Sequence, residues 1–223
     1  RDGRRIYDNI RKAVGYVFTI HIPIAAASLL APLLGVAPAA LFLLPLHVVL
    51  LELIIDPTCS IVLERQPAEL DIMERPPRKQ KDGLLNMRIL LKSALQGILI
   101  FAASFGAYYW LLSQGQQAPA LARSMGLVII MLANLFLVQV NSSNCDFAFV
   151  SLKRLLRDRV MWAVNIGTVA LLTVILYSPL NAFLKLAPLS AKQFLIALGL
   201  AAAAVFWYEF VKLFKKCKNR LTA

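Results

Sequence analysis

Charge is scarce in this chain. Only 16% of its 223 residues are Asp, Glu, Lys or Arg, against about 25% in an ordinary soluble domain. Acids are scarcer still, 12 Asp and Glu facing 24 Lys and Arg. Cysteine is rare as well. Cys59, Cys145 and Cys217 lie far apart and in no metal-ligand spacing, which argues against a disulfide framework or a zinc site. The sequence also lacks a phosphate-binding Gly-rich loop, a nucleophile elbow and any metal-ligand cluster, so it carries no recognisable catalytic residues of its own. It opens at Arg1 without an initiator Met, an apolar signal core or a cleavage site, and it therefore reads as a fragment rather than a chain with a signal peptide.

What fills the space is apolar sequence. Hydrophobic residues make up 59% of the chain and its mean hydropathy is +0.68. A soluble core of this size cannot absorb so much, and the surplus must face something other than water. Runs such as Ala13–Leu51 and Ser93–Ala122 are almost free of charge, and about 20 apolar residues cross a bilayer as a helix. The pattern predicts an all-α membrane bundle of six spans, over residues 13–34, 39–63, 88–113, 121–142, 160–178 and 191–213. Five segments follow: a stalk at 1–12 continuing into the first span, a helical hairpin at 13–63, a loop at 64–87, a four-helix unit at 88–213 and a basic tail at 214–223. No internal repeat is evident, which argues against an ion-coupled carrier built from repeats.

The basic residues orient this bundle. Of the 24 Lys and Arg, all but Arg123, Lys185 and Lys192 fall on the side of the termini and of the second and fourth connections. By the positive-inside rule both termini are expected in the cytoplasm. This distribution also explains the net charge of +12 without nucleic acid as a partner. The lipid bilayer is the partner it implies, and the tail Lys212–Arg220 adds attraction to anionic lipid.

The second span holds the informative stretch, from His47 through Glu52, Asp56 and Pro57 to Thr58. Glu52 and Asp56 are four residues apart, hence one turn apart on one helix face. A carboxylate deep in a bilayer costs about 2.5–3.5 kcal/mol on insertion scales, so two on one face demand compensation. A bound cation is one solution, because hard cations prefer carboxylate and carbonyl oxygens; protonation and hydrogen bonding between helices is another. Pro57 cannot donate to the carbonyl of Leu53, and Pro23 likewise frees that of Thr19. Broken helices at membrane depth are tolerated where they line a cavity. The candidate ion ligands are therefore Glu52 and Asp56, with His21, Asn134 and the carbonyls of Leu53 and Thr19 as further members. His21 fits packing as well as a site role, and Asn134 fits glue between helices as well as ligation. His47 reads as a packing residue, Gln139 and Asn141 as glue, and Glu209 as a partner of Lys212.

Three segments in order resemble one family. Gly3–Tyr16 (GRRIYDNIRKAVGY) is similar to the stalk and fifth transmembrane helix of P-type cation-transporting ATPases, of the calcium and sodium–potassium branch in its bacterial form. Glu52–Glu64 (ELIIDPTCSIVLE) resembles their sixth helix, and Glu64–Arg78 (ERQPAELDIMERPPR) the loop after it. The resemblance covers essentially the whole chain, as helices five to ten. It implies a pump that hydrolyses ATP with Mg through a phosphorylated aspartate, in domains outside these residues. Helices one to four and the actuator, phosphorylation and nucleotide-binding domains would be partners within the same protein, in a bacterial plasma membrane. Arg1–Lys12 would be the mechanical link and the loop around Asp71–Arg78 would dock near the phosphorylation domain. Asp56 falls at the family's central sixth-helix aspartate, Glu52 at a position of asparagine or aspartate, and His21 at one that is often asparagine. Ile24 and Leu135 replace acids that calcium pumps use, which implies a single divalent cation or proton per cycle rather than two calcium ions. A free-standing membrane protein that binds or regulates a partner without transporting is the alternative. A phosphorylation motif encoded upstream of Arg1 would decide for the pump, and a start codon there for the alternative.

Overall fold

The computed structural model describes residues 2–68, 72–73, 86–115, 119–141 and 159–221, the side chains of the last turns beyond Lys212 excepted. The predicted loop Asp71–Arg78 lies mostly outside these residues, as do Cys145, most of the basic fourth connection and the side chains of the tail. Every described regular element is helical, and six of them are long and apolar enough to cross a membrane. The expected all-α bundle is therefore present. We number its main helices α1 (Asp2–Leu33), α2 (Pro45–Pro57), α3 (Met87–Ser113), α4 (Pro119–Asn141), α5 (Arg159–Tyr177) and α6 (Ala191–Leu221).

The stalk and first span are one helix that runs on through Pro23, where the sequence predicts an interruption, and ends just past Pro32, before Gly35 turns the chain at φ 71°. The second span is less regular than predicted. A single 3-10 turn, Pro38–Ala40, precedes an extended stretch, and only then does α2 begin, with Pro45 pre-set for the first helical turn. After Pro57 the chain widens into a π-helix over Thr58–Leu63.

Without a hydrophobic drive between helices in lipid, close approach of small residues holds such bundles together. The seam between α1 and α3 shows this. Ser93 Oγ donates to the Gly15 carbonyl at 2.8 Å, and a Cβ on Gly97 would stand 2.7 Å from the Thr19 carbonyl oxygen. α4 runs through the middle, buried on every side from Ala122 to Asn134 against α3, α6 and α1. That position explains why it lacks a polar face.

One end of the bundle is tied by a cation. Arg123, 2% exposed, donates from Nε to the Leu41 carbonyl at 2.9 Å, from Nη1 to that of Lys185 at 2.6 Å and from Nη2 to that of Ala39 at 2.9 Å. His47 is wholly buried and joins the same knot. Its Nδ1 accepts from the Leu44 N–H at 3.2 Å and its Nε2–H donates to the Leu184 carbonyl at 2.7 Å, which fixes the neutral tautomer. His47 is thus a packing residue, as predicted. Tyr108 OH donates to Ala40 O at 2.5 Å, and Phe42 stacks on the Tyr108 ring at 4.8 Å. The charge count treats Arg123 only as a marker of topology; in the fold it holds irregular backbone that no helix ladder satisfies.

Substituting Arg123→Met removes all three charge-assisted donors and should cost about 3 kcal/mol or more. A thermal unfolding series in detergent should show a clear fall in midpoint. Arg123→Lys, a point charge without the planar fork, should recover only part of it.

Candidate ion site

The proline in α2 positions the acids. Pro57 has no N–H, so Leu53 O loses its usual donor four residues on. The next carbonyl, Ile54 O, keeps the Thr58 N–H as a donor and accepts from Thr58 Oγ1 as well, at 2.7 Å. The π-helix that follows widens the turn, a geometry frequent at functional sites. Leu53 and Asp56 are exposed along one stripe of α2 with Val49, and Glu52 lies at the edge of that stripe.

Glu52 meets His21 of α1. The Nε2–Oε1 distance is 3.0 Å, with side-chain exposures of 45% for His21 and 33% for Glu52. His21 Nδ1 lies 2.7 Å from the Val17 carbonyl oxygen. A carbonyl can only accept, so Nδ1 carries a proton and Nε2 is the nitrogen turned to the acid. The imidazole thus gives the Glu52 carboxyl a polar partner from the neighbouring helix, as acids within apolar spans require.

The other predicted members are placed differently. Asp56 is exposed and has no hydrogen bond or ion pair among the described residues. The Thr19 carbonyl faces Gly97 in the seam between α1 and α3. Asn134 is 2% exposed and its Oδ1 accepts a hydrogen bond from Tyr16 OH, tying α4 to α1. Its Nδ2 is buried without a partner among the described residues. Glu209 pairs with Lys212 at 2.8 Å, as expected. Among the described residues no three His, Cys, Asp or Glu side chains converge into a metal cage. The chain thus presents a two-residue centre, His21 and Glu52, with Asp56 one turn away on an open face.

Tyr16 escaped the sequence reading. An aromatic on a helical stripe looks like packing, and only its contact with Asn134 gives it a polar role. Removing its hydroxyl with Tyr16→Phe should leave the Asn134 amide without the one partner it has, at about 1–3 kcal/mol. Asn134→Leu in the Tyr16→Phe background should recover part of that loss, and unfolding midpoints of the two variants and their combination measure the coupling.

Residues 40–214 match the family model described as "Cation transporting ATPase, C-terminus". The chain is 25% identical over 206 residues to a protein of Bacillus subtilis (strain 168) named "Calcium-transporting ATPase", covering 92% of this chain and 23% of that protein. It is 27% identical over 221 residues to "Calcium-transporting ATPase 1" of Lactococcus lactis subsp. lactis (strain IL1403), covering 96% of this chain and 24% of the relative. It therefore spans about a quarter of the length of each. Six apolar helices, a polar pair within the hairpin and a match over most of the chain converge on one assignment: this is an integral membrane protein segment belonging to the C-terminal membrane region of the P-type cation-transporting ATPases.

Proposed function

We propose that this chain supplies the ion-binding membrane part of a pump whose ATP hydrolysis takes place in other domains of the same protein. The observation that carries the reading is the His21–Glu52 pair at 3.0 Å beside a proline-broken helix, with Asp56 exposed one turn away and unpaired among the described residues. An ionised acid facing hydrocarbon would be expelled or neutralised. An open acidic stripe therefore suits a surface that further helices cover and a cation visits, and helices one to four of the pump are the natural cover. Glu52 and Asp56 are the principal ligands, assisted by His21 and the Leu53 carbonyl, with Asn134 supporting the wall through Tyr16. The transported cation is the substrate; Mg and ATP belong to the actuator, phosphorylation and nucleotide-binding domains. Both termini face the cytoplasm of a bacterium, and the membrane is its plasma membrane.

The stalk half of α1 couples those domains to the site. Asn9 donates from Nδ2 to the carbonyls of Glu64 at 2.9 Å and Gln66 at 2.8 Å, and Arg4 Nη1 donates to Ile72 O at 2.8 Å. These bonds clamp the chain leaving the π-helix to α1, so a movement of the stalk is passed to the segment that carries the acids.

In the full-length pump, Glu52→Gln and Asp56→Asn should each reduce cation-stimulated ATP hydrolysis by at least about tenfold, an interaction worth roughly 1.4 kcal/mol or more. The assay is run across calcium, manganese, magnesium, sodium and potassium and over a pH series. Turnover unchanged in both variants would overturn the site. Asn9→Ala should instead lower maximal turnover while leaving the cation concentration for half-maximal stimulation within about twofold, because it loosens the linkage and not the ligands.

A further inference from the structure

We propose that His21 makes this site selective for a first-row transition divalent cation over calcium. The inference rests on the ion-site reading above and names its substrate class. Calcium takes six to eight oxygen ligands and has no use for an imidazole nitrogen. Imidazole beside carboxylate suits the borderline divalent metals instead.

The geometry of His21 is that of a ligand held ready. Metal-binding histidines donate their second ring N–H to a carbonyl or carboxylate, which fixes the tautomer and aims the other nitrogen. Here Nδ1–H donates to Val17 O at 2.7 Å, one turn back on the same helix. Nε2 is thereby turned toward Glu52 Oε1 at 3.0 Å. The two atoms lie close enough to bind one ion side by side after a small separation, at M–N and M–O distances near 2.1 Å. A histidine present only for packing resembles His47 instead, where both ring nitrogens are satisfied by backbone and the ring is wholly buried. His21 keeps nearly half of its side chain open. On α2, Asp56 and Leu53, whose carbonyl loses its usual donor at Pro57, are exposed beside Glu52. Two side-chain ligands do not complete a coordination sphere, so water or covering helices supply the remainder.

The test uses the full-length pump with Zn2+ and Ca2+ as probes, because imidazole suits zinc whereas carboxylate and carbonyl oxygens suit calcium. His21→Asn should raise the Zn2+ concentration for half-maximal ATPase stimulation by about tenfold or more, roughly 1.4 kcal/mol, while the Ca2+ value moves less than threefold. A second readout is independent of turnover: X-ray absorption of bound Zn2+, without nucleotide, should show imidazole scattering in the unsubstituted pump and lose it in His21→Asn. Equal shifts for both ions, or no imidazole scattering in the unsubstituted pump, would overturn the selectivity assignment. If His21→Asn proves inactive, the unsubstituted spectrum alone decides. Failure of this inference with Glu52→Gln and Asp56→Asn still inactivating leaves the ion site standing, whereas turnover indifferent to both acids removes the site itself.

Discussion

The structure is organised around the cost of placing acids inside apolar helices. Glu52 sits in the second span with no Lys or Arg of its own span beside it, and the fold answers with His21 from the neighbouring helix. Everything near that pair serves it. Pro57 removes one donor from the ladder next to the acids, the chain widens into a π-helix after it, and Thr58 adds a second donor to the Ile54 carbonyl. The pairing is local, made between the two helices of the hairpin. Asp56 receives no such partner within the described residues, and this asymmetry between two acids one turn apart gives the hairpin an open, polar side.

A hairpin can carry a site only if its frame holds it, and hydrogen bonds hold the frame at both ends. At one end Arg123, His47 and Tyr108 hold irregular backbone through hydrogen bonds to carbonyls rather than through ion pairs. A guanidinium spends its charge well there, since carbonyls crowd around it and water is excluded. At the other end Asn9 and Arg4 bind the chain that leaves the π-helix. Between them α4 acts as a buried post, with Tyr16 and Asn134 joining it to α1. The segments with the least support are α5 and the outward stripe of α2, where lipid or further protein must complete the packing.

Family membership sharpens the reading of these contacts without supplying their details. The relatives are four times as long as this chain, so most of what a pump does lies outside it. What this chain contributes is a membrane frame and a pair of side chains whose chemistry is mixed, nitrogen and oxygen together. That mixture would distinguish the proposed site from an all-oxygen cage and gives the selectivity question a physical form.

Hydropathy and spacing alone determined the six spans, the all-α class and the place of the two acids, because lipid admits only helices with their backbone bonds satisfied internally. The prolines also announced a break in the second span. The sequence did not decide how the break resolves: a 3-10 turn, an extended stretch and a π-helix are alternatives of similar energy, and contacts from Arg123, His47 and Thr58 select among them. Spacing marks His47 as a packing residue but leaves His21 open between packing and a site role. Both lie on apolar helices, and only tertiary neighbours make one a buried brace for a loop and the other an open partner of Glu52. The same holds for Tyr16, whose hydroxyl acquires meaning from Asn134 on a helix more than a hundred residues away. Local patterns fix what each segment is; which side chains meet is a property of the packed helices, since an interhelical bond in lipid depends on distance and direction that no single segment encodes.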